Sequence, residues 1–134
     1  MKDLAKELNK LPNNFIVGLV TSSDNYEDIN MNVLNFLIGK KGASGSYITV
    51  NRPYINVIDI LKEKNIDHTK LHFIDCITKT LGGKISNAKN CEFIESPSHL
   101  TDLAIALHKY VASSDEKNRF LHVDSLSTLC IHND

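Results

Sequence analysis

The feature that most constrains the fold is a regular alternation of short apolar runs with stretches of helical periodicity. The runs are continuous, which is typical of strands that are buried on both faces of a sheet. We predict five strands, at residues 15–20, 46–50, 71–77, 91–95 and 119–124. Because helices separate most of them, crossovers join the strands and produce a mainly parallel sheet. The expected architecture is a three-layer α/β/α sandwich.

The chain length predicts one domain, because 134 residues can enclose a substantial core. We predict an N-terminal helix and lead-in over residues 1–14 and a core over residues 15–134. The polar run TSSDN after the first predicted strand is rich in helix-capping residues, so a helix is expected to begin there. Gly39 or Gly42 can end that helix in a left-handed conformation.

Composition excludes several classes of function. The hydrophobic fraction is 42%, the charged fraction is 23% and the net charge is -1, so no general attraction to nucleic acid or to an anionic membrane is expected. The N-terminus mixes acids and bases unlike a signal peptide, and no apolar run approaches the ~20 residues of a membrane span, so we expect a cytoplasmic protein. Three cysteines without CxxC spacing predict reduced, structural thiols.

Ligands of parallel sheets bind beyond the carboxyl ends of the strands. That rule selects five loops, at residues 21–26, 51–53, 75–78, 95–98 and 124–128. Asp75 ends its strand as a phosphoacceptor aspartate does in response-regulator receivers. The first predicted strand lacks the acidic pair that would bind magnesium in a receiver, so that alternative is disfavoured.

The loop at residues 21–26 occupies the position of a phosphate-binding loop. Such a loop needs glycines, a lysine and a magnesium-binding hydroxyl, but the glycines are missing and no lysine occurs between Lys10 and Lys40. Asp24, Glu27 and Asp28 would also repel an anion. We interpret the loop mainly as a helix cap, although the hydroxyls of the loop remain able to donate hydrogen bonds to a small ligand.

Four stretches together resemble a known family: SYITVNRPYINVIDILKEKNID, LHFIDCITKTLGG, FIESPSHLTDLAIAL and FLHVDSLSTLCIHND. They are similar to RecA-superfamily proteins related to KaiC, in an archaeal branch whose phosphate loop (Walker A motif) is degenerate. The resemblance runs from about Phe15 to the C-terminus. It implies a RecA-like, P-loop NTPase-like sheet in which residues 15–20 form the phosphate-loop strand and Asp124 occupies the magnesium-linked Walker B position.

The resemblance also argues against hydrolysis. Active members carry acidic catalytic residues after the second strand, where this chain has Asn51, Arg52 and Pro53. Neither an amide nor a guanidinium can act as the general base. The resemblance therefore implies an inactive, ATPase-like domain with no catalytic residue, and ATP and magnesium are implied as cofactors by the resemblance alone.

Asp124 has two interpretations. Without phosphates to share, one carboxylate is a poor magnesium site, because the ion needs substrate oxygens to complete its shell. We therefore expect Asp124 to accept hydrogen bonds from Ser127, Thr128 or nearby backbone amides, with a Walker B-like metal site as the alternative. His122 is the histidine expected inside the sheet, where its ring nitrogens need partners.

Two functions follow from these expectations. The first is a non-catalytic RecA/KaiC-like domain that acts as a binding or regulatory module. The second is an atypical nucleotide-binding protein or ATPase that uses the 21–26 loop and Asp124, with Tyr26 stacking on a base and Arg52 contacting phosphate. The candidate residues of that site are Thr21, Ser22, Ser23, Asn25, Tyr26 and Arg52, with Asp124 for a metal.

A protein partner is also expected. In RecA-like sheets a further strand, from sequence after the Walker B segment, lies between the Walker B strand and the phosphate-loop strand, and this chain stops ten residues after Asp124. The chain is then a fragment, closes its sheet differently, or receives a strand from a second chain. We expect a homo-oligomer or a protein partner, since an unfilled gap exposes backbone groups and apolar side chains.

Overall fold

A computed structural model describes residues 3–85 and 88–134 of the chain. Its centre is a parallel sheet with strand order β3-β2-β1-β4. The strands are β1 (Ser44–Thr49), β2 (Leu71–Asp75), β3 (Cys91–Phe93) and β4 (Arg119–Asp124). The predicted α/β class and the parallel sheet are confirmed, with four strands in the described residues.

Five α-helices connect or flank the strands in the described part of the chain. They are α1 (Leu4–Asn9), α2 (Tyr26–Leu34), α3 (Tyr54–Glu63), α4 (Leu100–Ser113) and α5 (Leu126–His132). A π-helical stretch, Asn35–Lys40, continues α2, and the chain then turns at Gly42 with a φ of 63°. The helix predicted after TSSDN therefore exists and ends near the expected glycines. None of the helices in residues 3–85 and 88–134 has the length and apolar character needed to cross a membrane.

Alternate residues of the strands form two cores. Tyr47 of β1 and Phe73 of β2 pack in one cluster with apolar residues of α2 and α3. Ile48 and Ile74, the next residues along the same strands, pack in a second cluster with residues of α4. Successive strand residues point to opposite faces, so β1 and β2 are buried on both sides, as continuous apolar strands predict, whereas Leu121 and Val123 leave one face of β4 exposed.

The prediction of a strand at residues 15–20 is wrong for this structure. This segment, called segment 15–20 below, has no regular secondary structure and all of its residues are exposed. Ile16 and Val20 are fully exposed, at 102% and 101%. The sequence has the β-propensity of a strand, but a buried strand also needs a neighbour for its backbone groups, and this segment has none in the described residues.

Candidate functional site

Asp124 lies at the carboxyl end of β4, beside Thr49 of β1, and is 1% exposed. The Tyr47 hydroxyl donates a short hydrogen bond to Oδ2 of the Asp124 carboxyl group. The side-chain amide of Asn30, from α2, donates to the Tyr47 oxygen at 2.9 Å and lies 3.3 Å from the same Asp124 oxygen. Helix α2 thus contributes directly to the polar environment of the strand end.

The polar chain continues to His122, two residues before Asp124 on the same face of β4. His122 Nε2 makes a short hydrogen bond to Oδ1 of Asn30. Because the amide oxygen is an acceptor, this bond assigns the proton of the neutral imidazole to Nε2. We expected His122 inside the sheet with a partner for each ring nitrogen. The structure supplies that partner for Nε2. We call the four connected residues, His122, Asn30, Tyr47 and Asp124, the buried polar chain.

Asn51 covers the open end of the buried polar chain. Its Nδ2 lies 3.3 Å from Oδ1 of Asp124, 3.2 Å from the Tyr26 hydroxyl and 3.2 Å from Oγ of Ser125. The loops after β1 and β4 therefore meet at this edge of the sheet, together with the first residue of α2. One amide side chain links all three elements.

Arg52 is the cation nearest to the buried carboxyl group. Its Nη2 is 3.9 Å from Oδ2 of Asp124, and its Nη1 is 3.3 Å from Glu27. The guanidinium also lies 5.8 Å from the centre of the Tyr26 ring, within the range of a cation–π contact. Arg52 is thus held against the protein on several sides, with 20% of its side chain exposed.

Burial perturbs the three titratable members of the buried polar chain. It raises the pKa of Asp124 to about 7 and the pKa of Tyr47 to about 12, and it lowers the pKa of His122 to about 4. Each change favours the neutral form, because a charged group loses hydration when it is buried. At Tyr47 the hydrogen bond from Asn30 and the charge of Arg52 oppose the rise in pKa, but desolvation is the larger influence.

The sequence predicted the wrong partners for Asp124. Its carboxyl oxygens accept from Tyr47, Asn30 and Asn51, and the residue that accepts from the backbone amide of Thr128 is Ser125, the cap of α5. Ser125 is better placed to cap because it directly precedes the helix. The partners of Asp124 come from distant parts of the chain, so local spacing could not identify them.

The loop at residues 21–25 is tied to itself. The Thr21 hydroxyl donates to the Ser22 carbonyl at 3.1 Å, and the backbone amide of Asn25 donates to the same carbonyl at 3.2 Å. The Asn25 side chain also donates to the Ser22 hydroxyl at 3.3 Å. Ser23 and Asp24 are exposed. Of the seven predicted candidate residues, Tyr26, Arg52 and Asp124 lie together, whereas Thr21, Ser22 and Asn25 bond to one another.

A magnesium ion does not fit this arrangement. Both oxygens of Asp124 already accept hydrogen bonds from protein groups, and the nearest charged side chain is the cationic Arg52. Within residues 3–85 and 88–134, no three histidine, cysteine, aspartate or glutamate side chains are grouped as a metal site requires. Magnesium prefers carboxylates that share it with substrate oxygens, which the burial of Asp124 impedes.

Asp75 has a structural explanation. Its buried carboxylate accepts from the backbone amides of Tyr54, Ile77 and Thr78 at 2.8–2.9 Å, and from the Thr78 hydroxyl at 2.5 Å. These bonds hold the turn after β2 and fasten the start of α3 to it. A carboxylate with so many donors stabilises the loop rather than projecting into solvent.

One indirect signal in the sequence points to a functional residue that the sequence analysis missed. Asn30 lies three and four positions before Val33 and Leu34 on the apolar side of α2, where a polar residue needs a buried partner. Tyr47 offered no comparable signal, because an aromatic residue in a strand is expected for packing alone. Asn51 stands out in the sequence only because it lies where the resemblance implies a catalytic acid.

Two cavities of about 210 and 200 Å³ lie away from this site. The first is lined by Lys79, Ile105 and residues of the β3 region, and the second by Tyr54, His68 and residues near β2. Neither is lined by Asp124 or its partners.

Comparison with protein-family models and with curated proteins finds no match to this chain.

Proposed function

We propose that this chain is a non-catalytic RecA/KaiC-like domain that acts as a binding or regulatory module in the cytoplasm, with a second copy or another protein as its partner. The observation that carries the proposal is the state of Asp124. Its carboxyl group is buried, favours the protonated form to about pH 7 and is occupied by protein donors. A carboxyl group in that state does not serve as the metal-linked residue of an ATPase.

The phosphate-loop position gives independent support. The loop carries no lysine, its Asn25 amide is used by Ser22, and Glu27 on the first turn of α2 is paired with Arg52. An incoming polyphosphate would have to displace Glu27 from Arg52 in an acidic neighbourhood. These features support a RecA-like sheet of about five strands, possibly incomplete, that acts as a scaffold without a nucleotide site.

The alternative is an atypical nucleotide-binding protein. One observation favours it: Tyr26 and Arg52 lie side by side at the carboxyl edge of the sheet, where a base can stack on the ring and a phosphate can contact the guanidinium. The two functions differ in whether these residues respond to a nucleotide.

The experiment is a thermal shift measurement with millimolar ATP or ADP, with and without magnesium. The scaffold predicts no change in the melting temperature. A ligand at about 100 times its Kd would add about 2.7 kcal/mol, which for a domain of this size is a rise of a few degrees. A magnesium-dependent rise that is lost in Asp124→Asn and kept in the exposed control Asp59→Asn would overturn the proposal. A magnesium-independent rise that is lost in Arg52→Ala would establish the alternative.

A further inference from the structure

Helix α2 and the π-helical stretch that continues it are apolar on two faces. Leu34, on the inner face, packs in the cluster at the sheet. Val33 and Phe36 lie outside that cluster, yet they are only 5% and 4% exposed. The side of a helix that faces away from the core is normally polar, so an apolar outer face needs a cover. An element other than the sheet therefore covers Val33 and Phe36.

Helix α1 is that cover. Leu4, Ala5 and Leu8 recur at helical spacing on one side of α1. They form an apolar cluster with residues of α2 and of the π-helical stretch, and no other element of the described chain contributes to it. This cluster shares no residue with either of the two cores at the sheet. The contact between α1 and α2 can therefore break without opening either core.

The attachment of α1 to the rest of the protein is small. Leu8 is the one residue of α1 that is buried. Among the described residues, one hydrogen bond joins α1 to a distant part of the chain, from Nζ of Lys41 to Oδ1 of Asn9 at 2.8 Å, and it is exposed. A helix of six residues is too short to be stable in isolation. Helix α1 is thus helical only while it is docked, and few contacts keep it docked.

The chain that follows α1 leaves it free to move. Residues 10–20 are all exposed and contain neither helix nor strand. The next helix, α2, begins only at Tyr26. Because an extended chain spans about 3.3 Å per residue, a connection of this length lets α1 move away from α2 without pulling on it.

We propose that α1 is a strap, which closes over the outer face of α2 and opens while the rest of the fold stays intact. In the closed form Val33 and Phe36 are shielded from solvent. In the open form α1 unwinds and both side chains become exposed, as in the local opening of a region with few buried contacts. The strap controls access to this apolar face without a change in the sheet, so it operates whether or not the sheet is RecA-like.

The test compares two neighbouring positions of α2 as cysteines. Val33→Cys places a thiol beneath α1, whereas Leu34→Cys places one against the sheet. Each protein is labelled with N-ethylmaleimide in water and in low urea, and peptide mass spectrometry reads each thiol separately, including the buried Cys76 as a reporter of global unfolding. We expect the thiol at position 33 to react at least about tenfold faster than the thiol at position 34, with little dependence on urea, because a local opening exposes little surface. Equal rates with equal urea dependence would overturn the proposal.

A second substitution shows whether the opening belongs to α1. Leu8→Ser should raise the labelling rate of Val33→Cys towards that of the exposed Cys130, and it should leave the rate of Leu34→Cys unchanged. Lys6→Ser, on the exposed side of α1, is the matched control and should change neither rate. If Leu8→Ser left the rate of Val33→Cys unchanged, the opening would not involve α1 and the strap would be refuted.

Cleavage of the natural sequence remains decisive if Val33→Cys does not fold. Chymotrypsin cuts after aromatic residues, and Phe15 is 42% exposed between α1 and α2. We expect the fragment that contains α1 to separate from the remainder on gel filtration, and the remainder to keep its circular dichroism spectrum and a cooperative melting transition. A remainder that unfolds, or a fragment that stays bound, would overturn the proposal. These outcomes are independent of nucleotide binding.

Discussion

His122 and Asp124 occupy alternate positions of β4, and both contact the side chain of Asn30, yet burial changes their pKa values in opposite directions. The folded state keeps a proton on Asp124, whose pKa is raised from 3.8 to about 7, after the unfolded chain has lost it. It keeps His122, whose pKa is lowered from 6.5 to about 4, neutral while the unfolded chain is protonated. Between about pH 4 and 6.5, rising pH therefore removes stability through Asp124 and adds stability through His122.

Removal of one group should expose the effect of the other. We predict that Asp124→Asn makes the free energy of unfolding rise with pH, relative to the natural sequence, by about 1.4 kcal/mol per pH unit between pH 4 and 6.5. His122→Gln should produce the opposite slope relative to the natural sequence, a fall that ends near pH 6.5. Urea unfolding at half-unit pH intervals measures both, and subtraction of the natural sequence cancels every other group. If the free energy of unfolding changed with pH in the same way for all three proteins, the opposed pKa shifts of Asp124 and His122 would be contradicted.

Asp75 should be important for stability through its four donors. We predict that Asp75→Ala lowers the free energy of unfolding by about 3 kcal/mol, because it leaves buried amides and the Thr78 hydroxyl without a partner. The control is Asp67→Ala, which removes a similar local cap from an exposed turn, where Asp67 accepts from the Thr69 amide at 3.0 Å. It should cost much less, because the donors of Thr69 are exposed and water can replace the carboxylate. Equal losses in urea unfolding would show that burial of Asp75 contributes nothing.

At the scale of the element, the β1–β4 pair depends on a glycine. Gly45 of β1 is paired with Phe120 of β4, and a Cβ at Gly45 would lie 2.5 Å from the Phe120 ring. We predict that Gly45→Ala costs about 1–3 kcal/mol of stability, because the ring must move within a packed core. Gly18→Ala is the matched control, since nothing lies within 4 Å of its Cβ. Thermal unfolding that ranks the two variants equally would contradict this packing.

The presence or absence of a neighbouring strand explains which elements the sequence could predict. The strands β1, β2, β3 and β4 each follow or precede a helix with a clear apolar stripe, and local pattern was sufficient to locate them. Segment 15–20 has an equally apolar pattern but no adjacent strand, and a pattern does not reveal its neighbours. The bond between Asn30 and Tyr47 likewise joins residues 17 positions apart, so it depends on how α2 crosses the sheet. The apolar run before Asp124 predicted that this residue ends a strand. It did not predict which residues surround the carboxyl group.

At the scale of the whole molecule, the question is where the stabilising apolar contacts lie. Met31, Leu34, Val57 and Leu61 are buried between α2, α3 and the sheet, while segment 15–20, with comparable hydrophobicity, contacts solvent. Burial of a large apolar side chain contributes roughly 1.5–3 kcal/mol, and exposure contributes almost none. A monomer of this structure is therefore stabilised by its three apolar clusters, and Ile16 and Val20 contribute almost nothing.

We predict that Ile16→Ser and Val20→Ser, alone or together, change the free energy of unfolding of the monomer by less than about 0.5 kcal/mol, because both side chains are fully exposed. Leu34→Ala, at a fully buried position, should cost about 2–5 kcal/mol. Urea unfolding of each variant beside the natural sequence measures these changes. A loss of 1.5 kcal/mol or more at Ile16 or Val20 would place segment 15–20 inside the monomer core as a further strand. A neutral result would show that both side chains lie outside the monomer core, as their full exposure indicates.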